Sequence, residues 1–187
     1  MKYLAILLFA VSANASDIGG RITISGARNN ANAVIYIERI PGKTFSPPRD
    51  PVRLDQVNLK FDPHVLPILV GTRVAFPNSD EIRHNVFSPD PPKFNLGTYP
   101  VGQTRSQVFG TPGVFTLLCN VHAEMSAFII VSETPYWAVS DPAGNYTIPN
   151  VPNGRYVLKV WHERFKPQSF DIEITGSNII RNFQLRR

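Results

Sequence analysis

A second cysteine is missing from this chain. Cys119 stands alone among 187 residues, so no disulfide can form within it. A lone thiol on an exported protein is a liability unless something holds it. Beyond the N-terminal stretch, no apolar run approaches the roughly 20 residues that a membrane-spanning helix needs, and no segment carries a sustained helical period. Charge of a single sign is not concentrated anywhere. Lys and Arg number 19 against 14 Asp and Glu, a net +5, with the signs interspersed and no basic stripe interleaved with aromatics, which excludes a nucleic-acid-binding surface. His-Glu-x-x-His is absent, and no serine sits in a nucleophile-elbow context, so metallopeptidase and serine-hydrolase chemistry are excluded. These absences favour a binding or carrier protein over an enzyme. There is no repeat at a solenoid period and no low-complexity tract. Hydrophobic residues make up 43% and charged residues 18%, too apolar a balance for a disordered tail.

Residues 1–15 read as a secretory signal peptide. Lys2 gives the positive start, Tyr3 to Val11 the short apolar core, and Ala13-Asn14-Ala15 the small-residue cleavage site. An exported, periplasmic location follows as the expectation. The rest of the chain alternates polar with β-branched or aromatic residues in short runs. These are 21–25, 33–39, 65–70, 72–78, 85–88, 106–109, 113–119, 126–132, 145–148, 155–162, 168–175 and 178–185. Turn signals such as Gly71-Thr72, Thr111-Pro112-Gly113, Asp141-Pro142-Ala143-Gly144 and Pro152-Asn153-Gly154 separate them. Many short strands without crossover helices predict an all-β protein made of antiparallel sandwiches. The proline-rich stretch 41–51 and Glu133-Thr134-Pro135 read as junctions.

Between those junctions lie Cys119, His64, His84, His122 and Met125. A strand ends at Cys119, and His122 and Met125 follow at intervals of three. A loop that short can curl around one ion and offer it a thiolate, an imidazole and a thioether, with His84 arriving from another strand. Each residue alone has an ordinary reading: a small core hydrophobe, a surface imidazole, a core filler. The joint spacing Cys-x2-His-x2-Met points instead to metal. Two imidazoles and a thiolate with a weak thioether describe a blue-copper electron-transfer site, whereas zinc prefers four strong ligands. Glu124 stands as an alternative axial oxygen donor, and His64 as an exposed residue at a strand start that is a minor candidate for the ion.

Val74 to Phe87 and Gly110 to Val131 resemble the cupredoxins of the amicyanin and plastocyanin type, and the Cys-x2-His-x2-Met loop is most similar to that of the amicyanins. Phe61 to Gly71 resembles the strand and turn that open the cupredoxin core. The resemblance implies a Greek-key β-sandwich holding one Cu(I)/Cu(II) ion, with His84, Cys119 and His122 equatorial and Met125 axial. It also implies that Asn85 ties the ligand loops together through hydrogen bonds. It departs from the family at Val121, where those proteins carry Pro. That residue keeps an N–H able to reach the Cys119 sulfur. Ser140 to Leu158, with Gly20-Arg21-Ile22 and Ala33 to Ile37, resembles the carboxypeptidase regulatory-like domain, a transthyretin-like sandwich. The expected organisation is therefore one such sandwich from residues 17–46 plus 134–187, with a cupredoxin domain, residues 49–133, inserted in it. The alternative makes 17–46 extra strands of the copper domain.

The function expected is a one-electron carrier, with electrons leaving through the edge of His122 and Phe76, Phe87 and Phe115 excluding water. Its partner would be a redox protein such as a c-type cytochrome or a periplasmic dehydrogenase, met in a weak, small encounter. A copper-binding and delivery protein without electron transfer is the alternative. A structural β-module, in which the flanking sandwich is the working part, is the third reading.

Overall fold

The computed structural model of the chain describes residues 15–186. Residues 1–14 of the expected signal peptide lie outside them. The described residues are all-β, with no helix and eighteen strands. In chain order these begin with β1 (Ala15–Ile24), β2 (Val34–Ile37), β3 (Val52–Arg53), β4 (Asp55–Val57), β5 (Lys60–Asp62) and β6 (Val65–Leu69). Next come β7 (Thr72–Pro77), β8 (His84–Ser88), β9 (Phe94–Tyr99), β10 (Thr104–Phe109), β11 (Gly113–Leu118) and β12 (Ser126–Ser132). The last six are β13 (Trp137–Val139), β14 (Asn145–Pro152), β15 (Gly154–His162), β16 (Phe165–Ile174), β17 (Ile179–Ile180) and β18 (Phe183–Leu185). No helix among the described residues is long and apolar enough to cross a membrane.

The first two strands pair with the last six. β1 lies between β14 on one side and β17 and β18 on the other, and β2 lies between β13 and β15, with β16 outside β15. The strands between them form their own sheets: β6-β12-β11-β8-β9, β10-β7-β3 and the β4-β5 hairpin. Among the described residues no strand of one group pairs with a strand of the other. Each group has its own core. Ile18, Ile22, Ile35, Ile37, Ile148 and Leu158 fill one. Phe76, Val86, Phe115, Leu117, Met125 and Ile129 fill the other.

Alternation decides which core a residue joins. On β12, Ala127, Ile129 and Val131 face inward, while Phe128 and Ile130 face a third cluster. β2 does the same from the other side, with Ile35 and Ile37 inward and Val34 and Tyr36 outward. Both strands are covered on two faces, which is why Val34 to Ile37 reads as an unbroken apolar run. Trp161 completes this third cluster, 5.1 Å from the Phe128 ring. One glycine is fixed by contact. Gly144 has φ +92°, and a Cβ there would lie 2.1 Å from the Ile22 carbonyl oxygen, against which the turn packs.

Three expectations change. Residues 52–62, between the stretch read as a junction and the first central strand expected, hold β3, β4 and β5. β9 and β13 are strands without an alternating signal, and the run 178–185 is broken into β17 and β18. His64 is half-buried rather than exposed. Its Nδ1 lies 3.1 Å from the Ser126 carbonyl and its Nε2 3.3 Å from Glu163 of the flanking strands, so it sits in the contact between the two groups of strands.

Candidate metal centre

His84 opens β8, and Cys119 directly follows β11, which pairs with β8 through Leu118 and Phe87. Neighbouring strands therefore bring together residues 35 positions apart. The loop 119–125 then turns back. The Met125 N–H donates to the His122 carbonyl at 3.1 Å, which folds Met125 inward as β12 begins. His84, Cys119 and Met125 are 0%, 4% and 1% exposed, whereas His122 is half-buried.

One ligand atom from each of His84, Cys119 and His122 lies within 4.8 Å of the others. His84 Nδ1 is 3.1 Å from His122 Nδ1 and 3.9 Å from Cys119 Sγ. Metal–ligand bonds of about 2.0–2.1 Å to nitrogen and 2.3 Å to sulfur place two donors on one ion roughly 3–4 Å apart, so these three fit a shared ion. Met125 packs in the same buried cluster as Cys119. Glu124 is exposed, with its carboxylate outside the group of close ligand atoms.

The thiol receives one backbone donor, the Asn85 N–H at 3.5 Å. The Asn85 side chain does not reach the ligand loop. It donates to Asn95 Oδ1 at 2.8 Å and ties β8 to β9, so the link to the ligand loop is made by the backbone alone. No bond from the Val121 N–H to Cys119 Sγ is present among the described residues, and the Val121 side chain is 47% exposed. Phe76 and Phe115 are buried in the core beneath, and Phe87 is half-buried.

Several residues not singled out by motif or spacing support His84. Its Nε2 lies 2.8 Å from Asp80 Oδ2. Asp80 also accepts the Asn58 N–H at 2.5 Å and the Leu59 N–H at 2.9 Å. Burial raises the Asp80 pKa, but the Leu59 and Asn58 N–H groups and His84 outweigh it, and the carboxyl is held below its usual value. Asn58 and Leu59 both take positive φ, 54° and 58°, at a cost for leucine of about 1–2 kcal/mol. Tyr99, opposite His84 on β9, accepts the Gln56 side-chain N–H and donates to the Phe76 carbonyl at 2.9 Å. Burial is the main cause that pushes its pKa up to about 12. Asn78 closes the arrangement, with its side-chain N–H donating to the carbonyls of Ile82 and Tyr99. The turn formers Asn78-Ser79-Asp80 were the available signal.

The family model of polysaccharide lyase family 4, domain II, matches residues 115–180, a stretch that begins in β11 and ends in β17. Among solved structures, a copper-containing nitrite reductase from Thermus scotoductus SA-01 is 29% identical over 52% of this chain, at a TM-score of 0.44. The chain spans a quarter of that protein's length, 25%. A purple cupredoxin from Nitrosopumilus maritimus is 26% identical over 43% of this chain and 99% of its own, at 0.40. Amicyanin, in a reduced mutant form, is 20% identical over 54% of this chain and 99% of its own, at 0.43. All three TM-scores lie below 0.5, so the chemistry is assigned from the residues of this chain. Comparison with curated proteins gives no match.

Proposed function

We propose that this chain is a type 1 copper protein of the cupredoxin kind that carries single electrons between redox partners. The observation that carries the reading is the His84–Cys119–His122 cluster, buried except at His122, with the Asn85 N–H on the thiol and Met125 packed alongside. Copper, when bound, supplies a one-electron couple between Cu(I) and Cu(II). The protein's residues do the rest. His84 and His122 offer borderline nitrogen donors and Cys119 a soft thiolate, a set that suits copper. Phe76, Phe115 and Leu117 keep water away from the sulfur side. His122, the half-buried member, is the route by which an electron reaches the surface.

Export to the periplasm belongs to this reading, as does a weakly bound redox partner such as a c-type cytochrome or a periplasmic dehydrogenase. So does the inserted organisation, in which residues 49–133 form the copper domain. Residues 17–46 and 134–187 then form a carboxypeptidase regulatory-like sandwich around it. The pairing of β1 and β2 with β13–β18 supports that division.

Copper(II) titration of the full chain tests the proposal. Thiolate-to-copper charge transfer is expected to give an intense visible band and the electron paramagnetic resonance signature of a covalent Cu–S bond. Cys119→Ser is expected to abolish the band. Only the faint colour of copper on nitrogen and oxygen ligands in the wild type would sink the electron-carrier reading.

A further inference from the structure

The two ring nitrogens of His84 face different groups. Nδ1 looks onto Cys119 and His122, and Nε2 lies 2.8 Å from Asp80 Oδ2. The His84 side chain is wholly buried and that of Asp80 is 13% exposed, so bulk water offers little competition for this bond. An ionised carboxylate can only accept hydrogen bonds. The proton between the two groups therefore belongs to Nε2, and a neutral imidazole protonated there carries a bare lone pair on Nδ1. That is the nitrogen turned toward the thiol and the second imidazole.

Asp80 is itself held from three sides. Asn58 N–H reaches Oδ1, Leu59 N–H reaches Oδ2, and the Asp80 N–H donates to Asn78 Oδ1 at 3.0 Å. The β4–β5 turn aims its two N–H groups at the carboxylate while holding a leucine in the left-handed region, a conformation this residue type avoids. A turn with no task beyond joining two short strands would find asparagine or glycine at both positions easier.

We propose that Asp80 is the positioning residue of the metal centre, selecting the Nε2-protonated tautomer of His84 so that its bare Nδ1 meets the ion. The Asn58–Leu59 turn fixes the carboxylate for that role. The inference rests on the copper reading for the identity of the ion, but not for the tautomer, which belongs to the metal-free chain as well. Partners of metal-ligating histidines that orient the ring in this way typically contribute 10–100-fold to metal affinity.

Two-bond proton–nitrogen spectra of the metal-free full chain near neutral pH read the tautomer directly. His84 is expected to carry its proton on Nε2 in the wild type. Asp80→Asn puts an NH2 group among three donors, and Asp80→Ala removes the acceptor. Both are expected to lose the Nε2–H signature and to weaken copper(II) binding about 10–100-fold, with the strand signal in circular dichroism retained. A wild-type His84 protonated on Nδ1 would overturn the inference, and that measurement needs no variant to fold. Variants that keep both the tautomer and the wild-type affinity would overturn it equally. A wild type that shows the Nε2–H tautomer, loses it in the variants, and takes up no copper would leave the role of Asp80 standing and overturn the copper reading instead.

Discussion

Buried polar side chains serve different ends in the two groups of strands. Around β1, β2 and β13–β18 they close local geometry. Ser140 Oγ donates to the Asn30 carbonyl at 2.6 Å and accepts the Ala33 N–H at 3.0 Å, and Thr134 Oγ1 donates to the Ile37 carbonyl. In β3–β12 they converge: Gln56, Asn78, His84 and Asn85 are all buried and all lie within one or two hydrogen bonds of Tyr99, Asp80 or Cys119. Burying polar groups costs free energy unless they are paired. Scattered pairs that each finish a turn need only a fold to explain them. The second set gathers instead around His84 and Cys119, two residues of the proposed metal centre.

The contact between the groups offers the largest test of this contrast. Trp161→Ala removes one of the large flanking side chains, beside Val34, Tyr36 and Trp137, that pack with Phe128 and Ile130. Truncations of this type cost about 3–5 kcal/mol, and calorimetry is expected to resolve the single unfolding transition into two. Residues 49–133 alone are expected to fold and bind copper, with Phe128 and Ile130 exposed and the fragment prone to self-associate. A fragment that stays unfolded with copper present, while the full chain binds it, would show that the copper-binding part is not autonomous.

Matched core truncations sharpen the comparison. Leu158→Ala and Leu117→Ala each remove a fully buried side chain, one from each core, at about 2–5 kcal/mol by urea unfolding. Only Leu117→Ala, near the thiol, is expected to speed copper loss to a chelator. Equal loss from both would mean that the two groups of strands are energetically one body.

A smaller effect follows from His162. Its pKa is lowered below the usual 6.5, first by burial, with the Arg164 and His64 charges adding and Glu163 opposing. The folded chain therefore disfavours the imidazolium. As pH falls below 6.5 the unfolded chain takes up the proton first, so this contribution is whole above 6.5 and is lost as pH drops through the lower folded value. Stability measured from pH 7.5 to 5 is expected to fall, and His162→Gln to flatten that slope. Least of all, Val121→Pro is expected to leave the reduction potential unchanged in voltammetry, because no Val121 N–H bond to Cys119 Sγ exists to be removed. A lowered potential would show that one forms when copper binds.

Strong alternation made the long strands legible. β15 shows it in Tyr156, Leu158 and Val160 inward with Arg155 and Val157 outward. β3, β4 and β5 are two or three residues long, too short to repeat a two-residue alternation, and prolines surround them. β9 contains Gly97 and Asn95, which weaken any strand signal. At the site, Cys119, His122 and Met125 announce themselves by spacing along one loop. Asp80 does not, because its role is set by Asn58 and Leu59 on a hairpin more than twenty positions away in the chain. Periodicity describes a segment against its neighbours, and a carboxylate gripped across space leaves no such trace. The half-burial of His64 leaves no trace for the same reason, since its partner Glu163 lies 99 positions on.

Ser132 and Thr134 both place a hydroxyl on the carbonyl of Ile37. The chain thus leaves β2 and comes back to it at a single peptide group. Seen from the flanking strands, everything from Glu38 to Val131 is a loop whose ends already touch. The entropy of closing a loop grows only with the logarithm of its length, about 0.6 kcal/mol for each doubling. The flanking strands therefore bear a closure cost only about 2 kcal/mol above that of a loop a tenth as long, and their own order is indifferent to what the loop contains.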